Sequence, residues 1–193
     1  TRLRKTSFYK TEQLVSMKQI HLFFSNFLFN RFISSRAKYI VMREFELDEV
    51  SINDAFWGSR VRDNAESAIF FQWEMLEATN CIDNFRIAAN MKTGFRKGFF
   101  YSDSDATKWL DAASRIMVSY PSDKLKQIID EFIQTLEKVQ TNDGYLFTYN
   151  QILFPKVRWK NIQVEHELYS HGHLIEGAPF HLLATKDLSL MNL

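Results

Sequence analysis

The strongest constraint on the fold is an amphipathic repeat between Pro121 and Gly144. Apolar residues recur there at intervals of three and four, which is the period of one helix face. They are Leu125, Ile128, Ile129, Phe132, Ile133, Leu136 and Val139. Pro121-Ser122 precedes the repeat and Asn142-Asp143-Gly144 follows it, so turn-forming residues bound it on both sides. The segment is therefore predicted to be a helix whose apolar face packs against another element.

Weaker patterns of the same kind predict three more helices. One opens with Asp63 as its N-cap and runs to about Ala78, and a second is capped by the Ser-Asp-Ser-Asp run 102–105. A last one runs from about Asn161 until Pro179 bends or ends it. Short links between successive helices form antiparallel hairpins, the unit of bundles and α/α toroids. Alternating apolar and polar residues near 44–52 predict one short β segment.

Length, charge and cysteine content narrow the possible functions. The chain has 193 residues, enough for one domain, and 24 Lys+Arg against 23 Asp+Glu give a net charge of +1. Nucleic-acid-binding proteins usually carry an excess of basic residues, which this chain does not have, so no nucleic acid is expected as a partner. The single cysteine, Cys81, excludes an internal disulfide framework and any cysteine-rich metal cluster made by this chain alone.

The apolar stretch 20–33 raises the question of targeting. Asn26, Asn30 and Arg31 interrupt it, which leaves it short of the roughly 18 uninterrupted apolar residues of a membrane span. It also lacks the small-residue cleavage site of a signal peptide. We expect no membrane span and a cytoplasmic location, with secretion or a periplasmic location as the alternative. Residues 1–42 are treated as an N-terminal extension and residues 43–193 as the folded part.

The densest chemistry lies in residues 166–177. His166 and His173 are seven residues apart, so on a helix they share one face, about 10.5 Å apart along the axis. Tyr169, Ser170 and Glu176 lie near the same stripe. The zinc-protease pattern needs histidines at i and i+4, so no metal site is predicted here. These groups could instead contact the hydroxyls of a small polar ligand, and a solvated helix face is the alternative.

Five ordered blocks between Phe45 and about Leu190 resemble the N-terminal part of glycoside hydrolase family 127, the β-L-arabinofuranosidase family. The blocks are residues 50–57, 82–86, 103–112, 143–146 and 166–176. The resemblance implies a mainly α fold, a partial (α/α)6 barrel built of helical hairpins, with the active site in its central cavity. It also implies hydrolysis of O-glycosyl bonds, with an L-arabinofuranosyl glycan or oligosaccharide as the partner.

The family's reaction uses an acid/base glutamate and a cysteine nucleophile held in a zinc site. The resemblance places these groups, and the C-terminal half of the barrel, outside this sequence. Cys81 matches none of the zinc-site motifs. We therefore expect a fragment that holds no cofactor itself, is inactive alone and contributes contacts of the cavity wall. A non-catalytic helical sugar-binding or protein-interaction module is the alternative.

Several residues are candidates for that wall. His166, His173 and Tyr169 are expected to contact the sugar. Glu176 could contact it or orient His173 from the next turn, and an exposed glutamate on the helix is the alternative. The sequence departs from the usual family pattern at Ser170-His171 and at Phe147, which could change hydroxyl contacts. His171 itself is expected to be solvated.

Five further side chains have two interpretations each. Trp57 and Trp109 could offer a flat apolar face to a sugar, or could be buried in a helix seam. Arg86 could pair with a carboxylate near the cavity rim or could be structural. Asp103 and Asp105 could be a catalytic carboxylate pair, but capping of the helix that begins there is the favoured interpretation.

Overall fold

The structure, a computed structural model, describes residues 43–193, so the predicted N-terminal extension lies outside the described residues. Within this part the chain forms a compact helical unit, Phe45–Leu193. Its α-helices are α1 (Trp57–Asp63), α2 (Ile69–Ala78), α3 (Cys81–Ala88), α4 (Ser102–Ser119), α5 (Asp123–Val139), α6 (Thr148–Leu153) and α7 (Glu167–Thr185). A π-helical turn, Asn64–Ala68, joins α1 to α2, and 3-10 turns form at Leu47–Glu49 and Leu190–Asn192. The mainly α prediction is confirmed, and the arrangement is consistent with part of an α/α barrel.

The short β segment predicted near residues 44–52 is wrong. Leu47–Glu49 is a 3-10 turn with Glu46 and Val50 in extended conformation on either side. Extended backbone becomes a strand only when a neighbour pairs with it, and no strand is found among residues 43–193. Val50 and Ile52 are exposed, so the alternation did not reflect a buried face.

Two predicted helix starts are also wrong. The first helix begins at Trp57 rather than Asp63, because Oδ1 of Asp54 accepts the backbone N–H groups of Phe56 and Trp57, at 2.8 and 2.6 Å. The last begins at Glu167 rather than near Asn161, and the residues between form a separate turn in which the Glu165 N–H donates to the Asn161 carbonyl at 2.8 Å. That helix also passes through Pro179 and ends only at Thr185.

The core lies between α2, α3, α4 and α5. Trp73 packs against Trp109 with ring centroids 4.5 Å apart and against Phe132 at 5.5 Å, and Phe132 in turn contacts Phe85 at 5.3 Å. The predicted apolar face of α5 is confirmed, since Leu125, Ile129, Phe132, Ile133 and Leu136 are almost fully buried. Ser122 caps the helix by accepting the N–H of Leu125.

Helices α4 and α7 make the most extensive helix–helix contact of the described chain, and this contact carries the candidate site. Gly177 of α7 lies directly against Asp111 of α4. A Cβ at Gly177 would lie 3.0 Å from the Asp111 Cα, which is tighter than nine in ten real Cβ contacts. The glycine therefore permits the close approach of the two helices at this level. No helix within residues 43–193 has the length and apolar character needed to cross a bilayer.

Candidate functional site

The predicted histidine stripe is present on α7. His166 is the N-cap of the helix, Tyr169 lies in its first turn, and His173 lies one turn further along. The Tyr169 ring centroid is 5.2 Å from that of His166 and 4.8 Å from that of His173, with edge-to-face geometry in both pairs. The stripe is therefore an aromatic row whose end members carry hydrogen-bonding nitrogens.

Several of those nitrogens have no hydrogen-bond partner. Nδ1 of His166 and both ring nitrogens of His173 are buried from solvent yet make no hydrogen bond. The closest acidic group to His173 is Asp111, whose Oδ2 lies 3.7 Å from Nδ1, beyond hydrogen-bonding distance. Buried polar atoms without partners are rare in native proteins, and each requires an explanation such as a bound ligand or water.

An ion-pair bridge connects α4 to α7 beside His173. Arg115 donates from Nε to Asp111 Oδ1 at 2.8 Å and from Nη2 to Glu176 Oε1 at 2.7 Å. The guanidinium also lies 3.9 Å from the centroid of the Phe180 ring. Glu176 therefore pairs with Arg115 rather than making a hydrogen bond to His173, which was one role considered for it.

Asp111, His173 and Glu176 form a possible metal-binding triad. One ligand atom from each lies within 4.8 Å of the others. Metal ligands must lie about 2.0–2.2 Å from a zinc ion, and Arg115 already neutralises both carboxylates. A divalent cation would have to displace that guanidinium, so the observed arrangement favours an ion-paired network over a metal centre.

Aromatic rings extend the row beyond His166. The His166 ring centroid lies 5.8 Å from Phe100 and 5.7 Å from Tyr101, both in the segment that leads into α4. At the centre of the row, the Lys108 ammonium lies 5.4 Å from the centroid of the Tyr169 ring. The site therefore combines aromatic faces, imidazole nitrogens and a cation along the α4–α7 contact.

The remaining wall candidates lie elsewhere. Trp109 is buried in the core, and its Nε1–H donates to the Ile69 carbonyl at 2.9 Å, so the helix-seam interpretation fits its position. Trp57 is 59% exposed at the start of α1 and packs on Phe56. Arg86 forms a two-pronged ion pair with Glu77, at 2.6 Å for each nitrogen, which matches its structural interpretation. None of the three takes part in the ring contacts of the histidine stripe.

Asp103 is not a helix cap, which corrects the favoured interpretation. It is buried and pairs with the buried Arg96, whose Nη2 is 3.0 Å from Oδ1, and it accepts a 2.7 Å hydrogen bond from the Thr148 hydroxyl. Burial raises the pKa of Asp103, while the Arg96 charge and the Thr148 hydrogen bonds oppose that rise. Asp105 lies on the surface and pairs with Lys108 at 3.1 Å. The two carboxylates therefore have unrelated environments.

Cys81 does not fit the zinc–thiolate chemistry that the resemblance implies. Its Sγ donates to the Ser102 carbonyl at 3.0 Å, and burial raises the pKa of the thiol to about 12. A zinc ligand or cysteine nucleophile acts as the thiolate, and the sequence offers no second cysteine. Cys81 is accordingly a core residue.

His171, which was expected to be solvated, is only partly exposed, and both of its ring nitrogens have partners within the protein. Its Nδ1 lies 2.7 Å from the Glu167 carbonyl and its Nε2 lies 3.2 Å from the Leu146 nitrogen. The contacts fit a neutral ring that donates from Nδ1 and accepts at Nε2. The ring therefore ties the loop after α5 to α7. Phe147 and Ser170, the other departures from the family pattern, are buried.

A buried polar cluster fixes the start of α7. The Glu167 carboxylate accepts from the Tyr145 hydroxyl, from Asn150 Nδ2 at 3.0 Å and from the Trp159 backbone N–H at 3.1 Å. Asn150 also donates to Glu165 at 2.7 Å. Burial, together with the hydrogen bond to Glu167, raises the pKa of Tyr145. This cluster holds His166 at a defined position.

Sequence reasoning did not assign roles to Asp111, Arg115, Phe100 and Tyr101. The spacing of Asp111 and Arg115, four residues apart on a predicted helix, is a recognisable ion-pair signal. The contacts of Phe100 and Tyr101 with His166 join segments more than 60 residues apart, so no local pattern could reveal them.

Comparison with known proteins identifies the family. Residues 49–193 match the family described as β-L-arabinofuranosidase, GH127 catalytic domain. The chain is 29% identical over 152 residues to a non-reducing end β-L-arabinofuranosidase of Bifidobacterium longum, covering 67% of this chain and 23% of that protein.

Two solved structures are similar to the helical unit. A GH127 β-L-arabinofuranosidase from Geobacillus stearothermophilus T6 has a TM-score of 0.71 at 35% identity, over 74% of this chain and 24% of the other. A second GH127 β-arabinofuranosidase has a TM-score of 0.68 at 31% identity, over 76% and 24%. The chain thus spans about a quarter of the length of these relatives. It belongs to the GH127 β-L-arabinofuranosidase family.

Proposed function

We propose that this chain forms part of the sugar-binding cavity wall of a glycoside hydrolase that acts on L-arabinofuranosyl-containing glycans. His166 and His173 exchange hydrogen bonds with furanose hydroxyls, and Tyr169 packs between them. The observation that carries the proposal is the set of buried imidazole nitrogens without partners on one helix face. A sugar hydroxyl can both donate and accept, so it can satisfy either tautomer of a neutral imidazole.

The catalytic centre of this enzyme is proposed to come from residues outside the 193-residue sequence. Cys81 has the chemistry of a core thiol, and the family relatives are about four times as long as the matched region. The zinc, its ligands, the nucleophile and the acid/base glutamate would then lie in the remainder of the barrel. Leu168 and Ile175 on α7 are 59% and 73% exposed, which supports coverage of this face by further chain.

Titration of methyl β-L-arabinofuranoside against the whole chain tests the wall assignment. His166→Ala and His173→Ala are each expected to weaken binding about tenfold, because a hydrogen bond contributes about 1 kcal/mol or more when its loss leaves a partner unpaired. Leu168→Ala is the matched control, since it removes an exposed side chain of the same helix outside the stripe. Unchanged affinity in both histidine variants would remove the assignment.

Two further measurements separate the alternatives. Methyl glucopyranoside should bind more weakly than the arabinofuranoside if the stripe recognises the furanose. Hydrolysis of an aryl β-L-arabinofuranoside by the 193-residue chain alone would contradict the proposal that the catalytic centre lies elsewhere. Absence of both binding and hydrolysis would favour the protein-interaction alternative.

A further inference from the structure

The carboxylate of Asp111 lies beside the His173 ring and is paired with Arg115. Its Oδ1 accepts from the Arg115 Nε at 2.8 Å, and its Oδ2 lies 3.7 Å from the His173 Nδ1. The Asp111 side chain is only 12% exposed. One carboxylate oxygen is therefore engaged by the guanidinium, while the other lies next to the imidazole.

Arg115 restrains this carboxylate from turning away. The same guanidinium donates to Glu176 Oε1 at 2.7 Å and lies 3.9 Å from the centroid of the Phe180 ring, so it contacts α7 through two side chains. The close packing of α7 on α4 fixes the level at which the two helices meet. The position of Asp111 is thus set by contacts that do not involve the imidazole, and it exists before any ligand arrives.

The carboxylate favours one tautomer of His173. A neutral imidazole has an N–H on one ring nitrogen and a lone pair on the other. With the proton on Nδ1, the positive end of the N–H dipole lies next to the negative oxygen of Asp111, whereas with the proton on Nε2 a lone pair lies there. The 3.7 Å separation is too long for a hydrogen bond, but both ring nitrogens are buried from water, which strengthens the electrostatic preference. The proton is therefore favoured on Nδ1, which leaves Nε2 as an acceptor.

We propose that Asp111 is a positioning residue that holds His173 as a hydrogen-bond acceptor, so that this end of the stripe selects a hydroxyl able to donate to Nε2. The inference rests on the proposed function, because it takes the arabinofuranosyl unit as the ligand of the stripe. It gives that contact a direction, since the selected hydroxyl must carry a hydrogen, and an ether or a fluorine in its place is rejected. Asp111 acts through the imidazole and needs no contact with the sugar itself.

NMR of the whole chain, with its histidines labelled with nitrogen-15, tests the tautomer without a ligand. Spectra at about pH 8, where a free imidazole is neutral, distinguish a protonated ring nitrogen from one with a lone pair, and EDTA in the buffer excludes a bound metal ion. His173→Ala identifies the signals of this ring. The wild type is expected to show a protonated Nδ1 and an unprotonated Nε2.

Asp111→Asn should reverse that pattern. The new amide has the shape of the carboxylate, so its oxygen can keep the contact with Arg115 while its N–H group takes the place of Oδ2 and donates to the His173 Nδ1. The ring must then carry its proton on Nε2. Asp143→Asn is the matched control, because it changes an exposed carboxylate that pairs with Arg158, and it should leave both His173 signals unchanged.

Fluorinated ligands test the selection of a donor hydroxyl. The probes are methyl β-L-arabinofuranoside and the three analogues in which the hydroxyl at C2, C3 or C5 is replaced by fluorine, titrated against the whole chain by isothermal calorimetry. Fluorine cannot donate, so at least one analogue is expected to bind the wild type about tenfold more weakly than the parent sugar. Asp111→Asn should abolish the difference for that analogue, because the reversed ring no longer requires a donor. A general loss of structure would weaken all four ligands alike and keep their order.

The two readouts separate this inference from the proposed function. A wild-type His173 protonated on Nε2, or a tautomer that Asp111→Asn leaves unchanged, would overturn the positioning role; arabinofuranoside binding that still depends on His166 would then leave the proposed function standing. The same order of the four ligands in the wild type and in Asp111→Asn would overturn the selection of a donor hydroxyl. If the tautomer reverses but the wild type binds none of the four sugars, the proposed function and the hydroxyl selection both fail, while the effect of Asp111 on the ring stands.

Discussion

The buried ion pair between Arg96 and Asp103 allows a sharp test of the fold. Both side chains are essentially inaccessible, at 0% and 2% exposure, and they join the segment before α4 to the first turn of that helix. Arg96→Met keeps much of the side-chain volume but removes the charge. The Asp103 carboxylate would then remain buried with only its hydrogen bonds to Thr148.

Removing one partner of a buried pair costs about 3–5 kcal/mol, because the other charge is left without compensation. Domains are stabilised by only about 5–15 kcal/mol, so the loss is a large part of the total. With a urea slope of about 2 kcal/mol per molar, the unfolding midpoint should fall by about 2 M. The effect should be smaller at pH 5 than at pH 8. Burial already raises the pKa of Asp103, and removal of Arg96 raises it further. In the variant the buried carboxyl is therefore neutral at low pH and must ionise without a partner at high pH, so the stability of the variant falls as the pH rises.

Urea unfolding of the whole chain, followed by tryptophan fluorescence at both pH values, measures these changes. Arg158→Met is the matched control. It breaks a 2.6 Å pair with Asp143, which is 64% exposed, and should lower the unfolding midpoint much less, because water screens an exposed ion pair. If Arg96→Met is too unstable to fold, the double variant Arg96→Met/Asp103→Leu should recover part of the loss, since no unpaired charge remains. Equal effects of the two arginine variants, or a double variant no more stable than the single one, would refute the reasoning.

Two further predictions concern buried titratable groups. Burial lowers the pKa of His181 below its ordinary value of 6.5, despite the opposing charges of Asp187 and Asp130. The unfolded state therefore takes up a proton first as the pH falls through 6.5, and the thermal midpoint should drop from pH 7 to pH 5. His181→Gln should flatten that part of the curve, and an unchanged slope would exclude His181 as its source. The Cys81 thiol, with its pKa raised to about 12, should resist alkylation by iodoacetamide at pH 8 in the folded protein and react rapidly in urea; rapid labelling of the native chain would contradict its burial.

Elements with strong local signals could be predicted from the sequence. The apolar face of α5 follows from spacing alone. Ser122 caps the start of the helix, and Gly144 lies in the turn that follows its end. The stripe of His166, Tyr169 and His173 was likewise predictable, because helical periodicity fixes which residues share a face. Neither prediction depended on contacts between distant segments.

Three errors arose where distant residues decide the local structure. Asp103 has the sequence pattern of a cap, but Arg96 and Thr148 draw it into the interior. His171 was expected in solvent, yet the loop after α5 supplies the Leu146 N–H to its ring. The start of α7 depends on Asn150 and Trp159, which bind Glu167 across the connecting segment. In each case a hydrogen bond spanning many residues overrode the local preference.

Gly177 determines how closely α7 approaches α4 beside the histidine stripe. The two helices approach this closely because Gly177 lacks a side chain, since a Cβ there would crowd the backbone of Asp111 at 3.0 Å. A methyl group at this point would push α7 away from α4 by a few tenths of an ångström and would disturb the ion pair between Arg115 and Glu176 that joins the two helices. The spacing of the two helices at this level is thus set by a residue that has no side chain and no functional group of its own. A design that transfers the histidine stripe to another pair of helices must therefore also keep a glycine at the position equivalent to Gly177.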